Sequence, residues 1–99
     1  MLVGVLATFC AGHKMPQHEH VHGHSYEVWA YADSGDVEKL QLDLSLVCSE
    51  LDHRMLNDVI GEPTMENIAV FLSVRLAWAV RIKVIRPVEG LCCEWTKYE

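Results

Sequence analysis

Five of the six histidines stand between positions 13 and 24, in the stretch His13-Lys14-Met15-Pro16-Gln17-His18-Glu19-His20-Val21-His22-Gly23-His24. His22 and His24 are separated by one glycine at the start of an expected strand. Side chains at i and i+2 on a strand point to the same face, so the two imidazoles can converge on one ion. Gly23 lets another backbone or a ligand come close. His13 follows the first apolar run and can reach the same end of a sheet. Three neutral imidazoles leave a fourth tetrahedral position open, which is the arrangement of a catalytic zinc and not of a structural one. Iron, nickel or copper would also accept such ligands. His18 and His20 read as loop residues; His20 shares the parity of His22 and is a spare ligand if the strand extends backward. The plain alternative for the whole stretch is a solvated histidine-rich loop.

The elements that must position these residues follow from periodicity. Residues 2–10 form a short apolar run that reads as a strand with both faces covered. Residues 11–21 read as a loop, and a second strand runs from about His22 to Ala32. Asp33-Ser34-Gly35-Asp36 signals a turn. Val37 to Asp43 alternates near Leu40 and Leu42 and reads as a short extended piece. Leu44, Val47, Cys48 and Leu51 then fall on one face of a helix. Gly61-Glu62-Pro63 interrupts, and Thr64 is a candidate N-cap with Glu66 in the first turn. Ile68, Phe71, Leu72 and Leu76 make the stripe of a second helix. Strands are expected at about Trp78 to Arg86 and Leu91 to Lys97, with Pro87 to Gly90 as the turn. The order ββααββ indicates an α+β fold with a largely antiparallel sheet.

The 99 residues fit one domain, residues 1–99. A lone domain of this size buries only about 60–65% of its unfolded surface. Yet 51% of the residues are hydrophobic, so subunit contacts are expected. The formal net charge is −6 and the eight Lys and Arg residues are scattered, which argues against a nucleic-acid partner. The apolar start, Met1 to Phe9, lacks a basic flank and is too short to span a bilayer, so no membrane partner is expected. Cys10, Cys48, Cys92 and Cys93 match neither a secreted disulfide scaffold nor a CxxC zinc motif. They read as reduced, mostly buried thiols of a cytoplasmic protein.

Four motifs, in order, then resemble those of the 6-pyruvoyl-tetrahydropterin synthase and 6-carboxytetrahydropterin synthase family. Phe9-Cys10-Ala11-Gly12-His13-Lys14-Met15-Pro16 is similar to F-S-A-A-H-R-L-P. His22-Gly23-His24-Ser25-Tyr26 matches H-G-H-S-Y. Leu51-Asp52-His53-Arg54-Met55-Leu56-Asn57-Asp58 is similar to L-D-H-R-x-L-N-D, and Pro63-Thr64-Met65-Glu66-Asn67-Ile68-Ala69 to P-T-x-E-N-L-A. The resemblance covers about residues 5–85. It implies the tunnelling fold, in which ββααββ subunits with two helices on one face of the sheet join into a barrel, usually as trimers paired into hexamers. It implies zinc on His13, His22 and His24, and a pterin substrate, 7,8-dihydroneopterin triphosphate. It also implies proton transfer by Asp52 and His53, often across a subunit boundary. That role is chemically reasonable, because a carboxylate beside an imidazole can orient the ring and stabilise its charged form.

Two positions depart from the family pattern. The family's cysteine, four residues before the H-G-H motif, is His18 here. Glu19 follows, and Glu19-His20-Val21-His22-Gly23-His24 resembles a subgroup in which glutamate replaces the cysteine and the product is 6-hydroxymethyl-dihydropterin. A carboxylate near zinc can act as a general base. The family's pterin-holding glutamate at the end of the third strand falls at Val84 or Ile85, and Glu89 is the nearest substitute. Two accepted N–H bonds are what a carboxylate would give the pterin edge. The expected function is a zinc-dependent pterin lyase of this glutamate type. A carboxytetrahydropterin synthase of the queuosine pathway and a zinc-binding oligomer without catalysis are the alternatives.

Overall fold

The structure, a computed structural model, describes residues 1–17 and 20–98. Strand β1 (Val3–His13) pairs antiparallel with β2 (His22–Ala32), β2 with β3 (Arg81–Arg86), and β3 with β4 (Leu91–Thr96). The sheet order β1-β2-β3-β4 is a meander in which each strand lies beside its neighbour in sequence. Helices α1 (Val37–Ser49), α2 (Leu56–Ile60) and α3 (Met65–Arg75) come between β2 and β3.

Strand alternation decides which side the helices cover. Val5, Ala7, Phe9 and Ala11 of β1, Tyr26, Val28, Ala30 and Ala32 of β2, and Ile82 and Val84 of β3 are buried. All of these but Ala32 pack with Leu44, Val47, Cys48, Leu51, Leu56, Ile68, Leu72 and Leu76 in one core. Burying aliphatic and aromatic side chains of this kind contributes about 1.5–3 kcal/mol each. Among the described residues no helix covers the opposite face: Gly4, Thr8 and Cys10 are exposed and Leu6 is half-buried. The first strand is therefore covered on one face only, which corrects the expectation of two.

Four further expectations change. The stretch Val37–Asp43 is helix and not extended. Asp36 caps it, its Oδ1 accepting from Glu38 N at 3.0 Å, and this satisfies one of the N–H groups a helix start leaves orphaned. The apparent alternation misleads because Leu40 packs against the core whereas Leu42 is 59% exposed. Leu40, Leu44, Val47 and Cys48 in fact form a single helical stripe, while Leu51, expected on it, lies buried in the turn after the helix. Second, the segment after Leu51 contains the short helix α2, so the described residues form three helices, not two. Third, β1 runs on to His13 instead of ending at residue 10. Fourth, β3 begins at Arg81, because residues 76–80 turn back: Ala79 N donates to Leu76 O, and Trp78 Nε1 donates to Asp43 Oδ2 at 2.6 Å. The cap of α3 is as expected, with Thr64 Oγ1 accepting from Asn67 N at 3.1 Å.

The cysteines also differ from their expected burial. Cys48 is buried, Cys93 half-buried, and Cys10 and Cys92 exposed; all four are free thiols. Cys10 lies on the uncovered face, where even-numbered residues of β1 point, and its Sγ is 3.5 Å from Ser25 Oγ. No helix among the described residues is long and apolar enough to cross a membrane.

Candidate active site

The β1–β2 register sets His13 opposite His22 and Ala11 opposite His24. His13 has the parity of Phe9 and Ala11, and His22 and His24 that of Tyr26 and Val28, so all three imidazoles belong to the helix-covered face. They lie at the end of the sheet where β1 stops and β2 starts. There they border a cleft of about 470 Å³ with Tyr26, Arg86 and the N-terminal end of α3, Pro63 to Glu66. That volume lies within the range of small-molecule sites, roughly 300–1,000 Å³.

His24 Nε2 is 3.1 Å from His13 Nε2. Two nitrogens on one tetrahedral zinc, each about 2.0–2.1 Å from it, stand roughly 3.3–3.4 Å apart, so this pair has the spacing of two ligands. The His22 ring is farther out, its centroid 6.4 Å from that of His13 and 6.5 Å from that of His24. Among the described residues no three ligating side chains already close on one point. A side-chain rotation of His22, which lies at the surface, would be needed to complete the set. The donor chemistry fits zinc; two of three donors are in place.

Arg86, the last residue of β3, has the same parity as Ile82 and Val84 and so enters the cleft from its far wall. Its Nη2 is 3.0 Å from His24 Nδ1, and its Nε donates to Glu89 Oε1 at 2.9 Å. Glu89 Oε1 is in turn 3.5 Å from His24 Nδ1. The turn holding Glu89 is closed by Gly90 N donating to Arg86 O at 3.0 Å, with Gly90 at φ 72°; a left-handed residue here is cheap only for glycine. The guanidinium hydrogen bond holds the Glu89 carboxyl below the usual carboxylate range. Burial, followed by the positive charge of Arg86, lowers the His24 pKa. Both effects favour the neutral ring, the form that ligates metal. Burial also raises the Tyr26 phenol.

Asp52 and His53 lie along the free edge of β1. Asp52 Oδ1 accepts from Cys10 N at 2.9 Å, His53 N donates to Cys10 O at 2.6 Å, and Gly12 N donates to Arg54 O at 3.0 Å. Residues 52–55 therefore cover that edge as a substitute strand. Asp52 Oδ2 is 2.9 Å from His53 Nδ1. The backbone bond from Cys10, then the His53 ring, lowers the Asp52 pKa. A carboxylate on Nδ1 leaves the lone pair of Nε2 available for proton transfer. His53 has φ 57°, the only positive value for a non-glycine residue among those described. Such a conformation costs on the order of 1 kcal/mol or more and recurs at functional sites. The His53 side chain is 82% exposed and borders a second cleft, on the other side of the hairpin, with Cys10, Gly12, Gly23, His24 and Ser25. Within one chain, Asp52 and His53 do not reach the three-histidine cleft.

The loop after His13 is held by Asn57, whose Oδ1 accepts from Lys14 N at 2.9 Å and whose Nδ2 donates to Lys14 O at 2.8 Å. Glu19 lies outside the described residues, as does His18. Glu89 borders neither cleft; it is engaged with Arg86 beside His24. Neither Arg86 nor Asn57 stands out in the sequence as a site residue. The alternation of Ile82, Val84 and Arg86 is a signal for Arg86, but the strand pairing that brings it to His24 is not visible in one sequence.

The family model described as 6-pyruvoyl tetrahydropterin synthase matches residues 3–94. A dihydroneopterin monophosphate aldolase of Pyrococcus furiosus is 35% identical over 79 residues, covering 71% of this chain and 69% of the relative. A putative 6-carboxy-5,6,7,8-tetrahydropterin synthase of Archaeoglobus fulgidus is 33% identical over 89 residues, covering 78% and 76%. The match spans both clefts and every strand of the sheet, and the chain belongs to the 6-pyruvoyl tetrahydropterin synthase family.

Proposed function

We propose that the protein is a zinc-dependent lyase that cleaves the side chain of a phosphorylated 7,8-dihydroneopterin to give 6-hydroxymethyl-dihydropterin. The observation that carries this reading is the imidazole pair of His13 and His24 at 3.1 Å, beside His22 in a cleft of about 470 Å³. The likeness to a chain named as a dihydroneopterin monophosphate aldolase supports the reaction type. Position 18 is histidine, so a thiolate is absent where the synthases carry their cysteine. That disfavours the carboxytetrahydropterin alternative.

The bond broken is the one between the first and second side-chain carbons of the substrate. The proton of the second-carbon hydroxyl goes to a base, and the bonding electrons pass into the ring imine. Reprotonation at the first carbon gives the hydroxymethyl pterin, and the phosphorylated two-carbon aldehyde leaves. His13, His22 and His24 would hold the metal, which as a Lewis acid would lower the pKa of the side-chain hydroxyls. Glu19 is the proposed base within the chain. The Asp52–His53 pair, turned to the other side of the hairpin, would serve the cleft of a neighbouring copy. This requires a homo-oligomer, a trimer or hexamer built as a barrel, and places the uncovered sheet face inside it.

The test is incubation of the zinc-loaded protein with dihydroneopterin monophosphate and, separately, the triphosphate, with products identified by mass spectrometry. Hydroxymethyl-dihydropterin that disappears in Glu19→Gln supports the proposal. Carboxytetrahydropterin would assign the synthase activity instead, and no turnover with either substrate would leave a metal-binding oligomer. Sedimentation that gives an 11 kDa species at micromolar concentration would refute the shared-site arrangement.

A further inference from the structure

We infer that Glu89 is the positioning carboxylate of His24, and that Arg86 occupies His24 Nδ1 until a metal binds. This rests on the proposed metal centre. A guanidinium only donates hydrogen bonds, so Arg86 Nη2 at 3.0 Å makes His24 Nδ1 an acceptor. The ring proton of neutral His24 is then on Nε2, where it points to His13 Nε2 at 3.1 Å. His13 Nε2 accepts, so neutral His13 carries its own proton on Nδ1. His13 thus already has the tautomer that ligates through Nε2, whereas His24 has the opposite one.

Ligation through His24 Nε2 requires the proton to leave that nitrogen. The neutral ring is restored when Nδ1 takes one up, so one proton is lost and one gained, with no net change. Nδ1–H then needs an acceptor, and Arg86 cannot be one. Glu89 Oε1, 3.5 Å away, is the carboxylate in reach. It is already placed by Arg86 Nε at 2.9 Å and by the closed turn to Gly90. A small rotation that withdraws Nη2 lets Glu89 accept from Nδ1 while keeping its bond to Nε. Metal-ligating histidines generally donate their second ring nitrogen in this way, and losing such an acceptor typically costs about 10–100-fold in metal affinity. Glu89 thereby has a role in the site without touching the substrate.

Two measurements test this. Zinc affinity is measured by competition with a chromophoric chelator for the wild type, Glu89→Gln and Glu89→Ala, with metal-free thermal unfolding as the control for folding. We expect about 10–100-fold weaker binding in both variants at unchanged metal-free stability. Solid-state ¹⁵N spectra of histidine-labelled protein then follow the His24 ring, assigned by its loss in His24→Gln. The proton is expected on Nε2 without metal and on Nδ1 with zinc. Affinities within threefold of the wild type, or a loaded His24 ring without a proton on Nδ1, would overturn the inference. A wild type that binds no zinc at all would sink the metal centre itself, and this role with it.

Discussion

The side chain of Asn57 joins the fold to the site, and its removal has a calculable effect. Its amide pairs with both the N–H and the C=O of Lys14, at 2.9 and 2.8 Å, as a neighbouring strand would. Lys14 follows His13 directly, and helix α2, which carries Asn57, is anchored by the fully buried Leu56. Asn57→Ala removes two hydrogen bonds, each worth a net ~0.5–1.5 kcal/mol. Lys14 is exposed, so water can replace the amide, and the lower half of the sum applies, about 1–2 kcal/mol. For a domain of this size about 1 kcal/mol moves Tm by about 4–8 °C, giving a fall of about 4–16 °C. Urea unfolding followed by tryptophan fluorescence measures the loss. Protomer concentration must be held constant, because assembly would add to apparent stability. Asn57→Asp is the companion: it keeps the acceptor for Lys14 N but sets a carboxylate oxygen against Lys14 O, so it too should destabilise. If Asn57→Ala stays within about 0.3 kcal/mol of the wild type, a threshold below the smallest net value for one such bond, the clamp contributes nothing and the reasoning is wrong.

Other expectations follow from the same structure. Leu72→Ala, at a position with no solvent exposure, should cost about 2–5 kcal/mol in the same unfolding assay, since truncation leaves a cavity under the sheet. Asp52 has a lowered pKa in the folded state, so its contribution to stability is complete above the ordinary aspartate value of about 3.9 and is lost as pH falls through the folded value. The stability gap between wild type and Asp52→Asn should therefore be widest near neutral pH and shrink below about pH 4; a gap unchanged at about pH 3 would contradict this. Cys48 is buried and its thiol is pushed up to about 12, so alkylation with mass-spectrometric readout should label it only in denaturant.

Periodicity and residue type make much of this protein legible. The alternation of β2 is enough to put His22 and His24 on one face, because the side-chain repeat of a strand is two. The helical stripe Leu44, Val47, Cys48 and the Thr64 cap are equally local, although Leu51 falls just past the helix end. Local patterns fail where two periods fit a short stretch: Leu40 and Leu42 look like strand alternation, and only packing against the sheet decides for a helix. They fail again at Cys10, whose type suggests burial, but whose exposure depends on which face the helices cover.

What the tertiary structure alone decided are contacts made across long stretches of chain. His13 meets His22 because β1 continues to residue 13 and pairs in one register. Arg86 reaches His24 across 62 positions, through a strand whose parity and pairing both have to be right. The same pairing commits Glu89 to Arg86, while the edge of β1 draws Asp52 and His53 to the other side of the hairpin. A sequence specifies its local periods directly, but a one-residue slip between strands would turn each of these side chains to the opposite face. The residue types were thus written in the chain, whereas their second contacts, and the side of the sheet each one serves, came from the register.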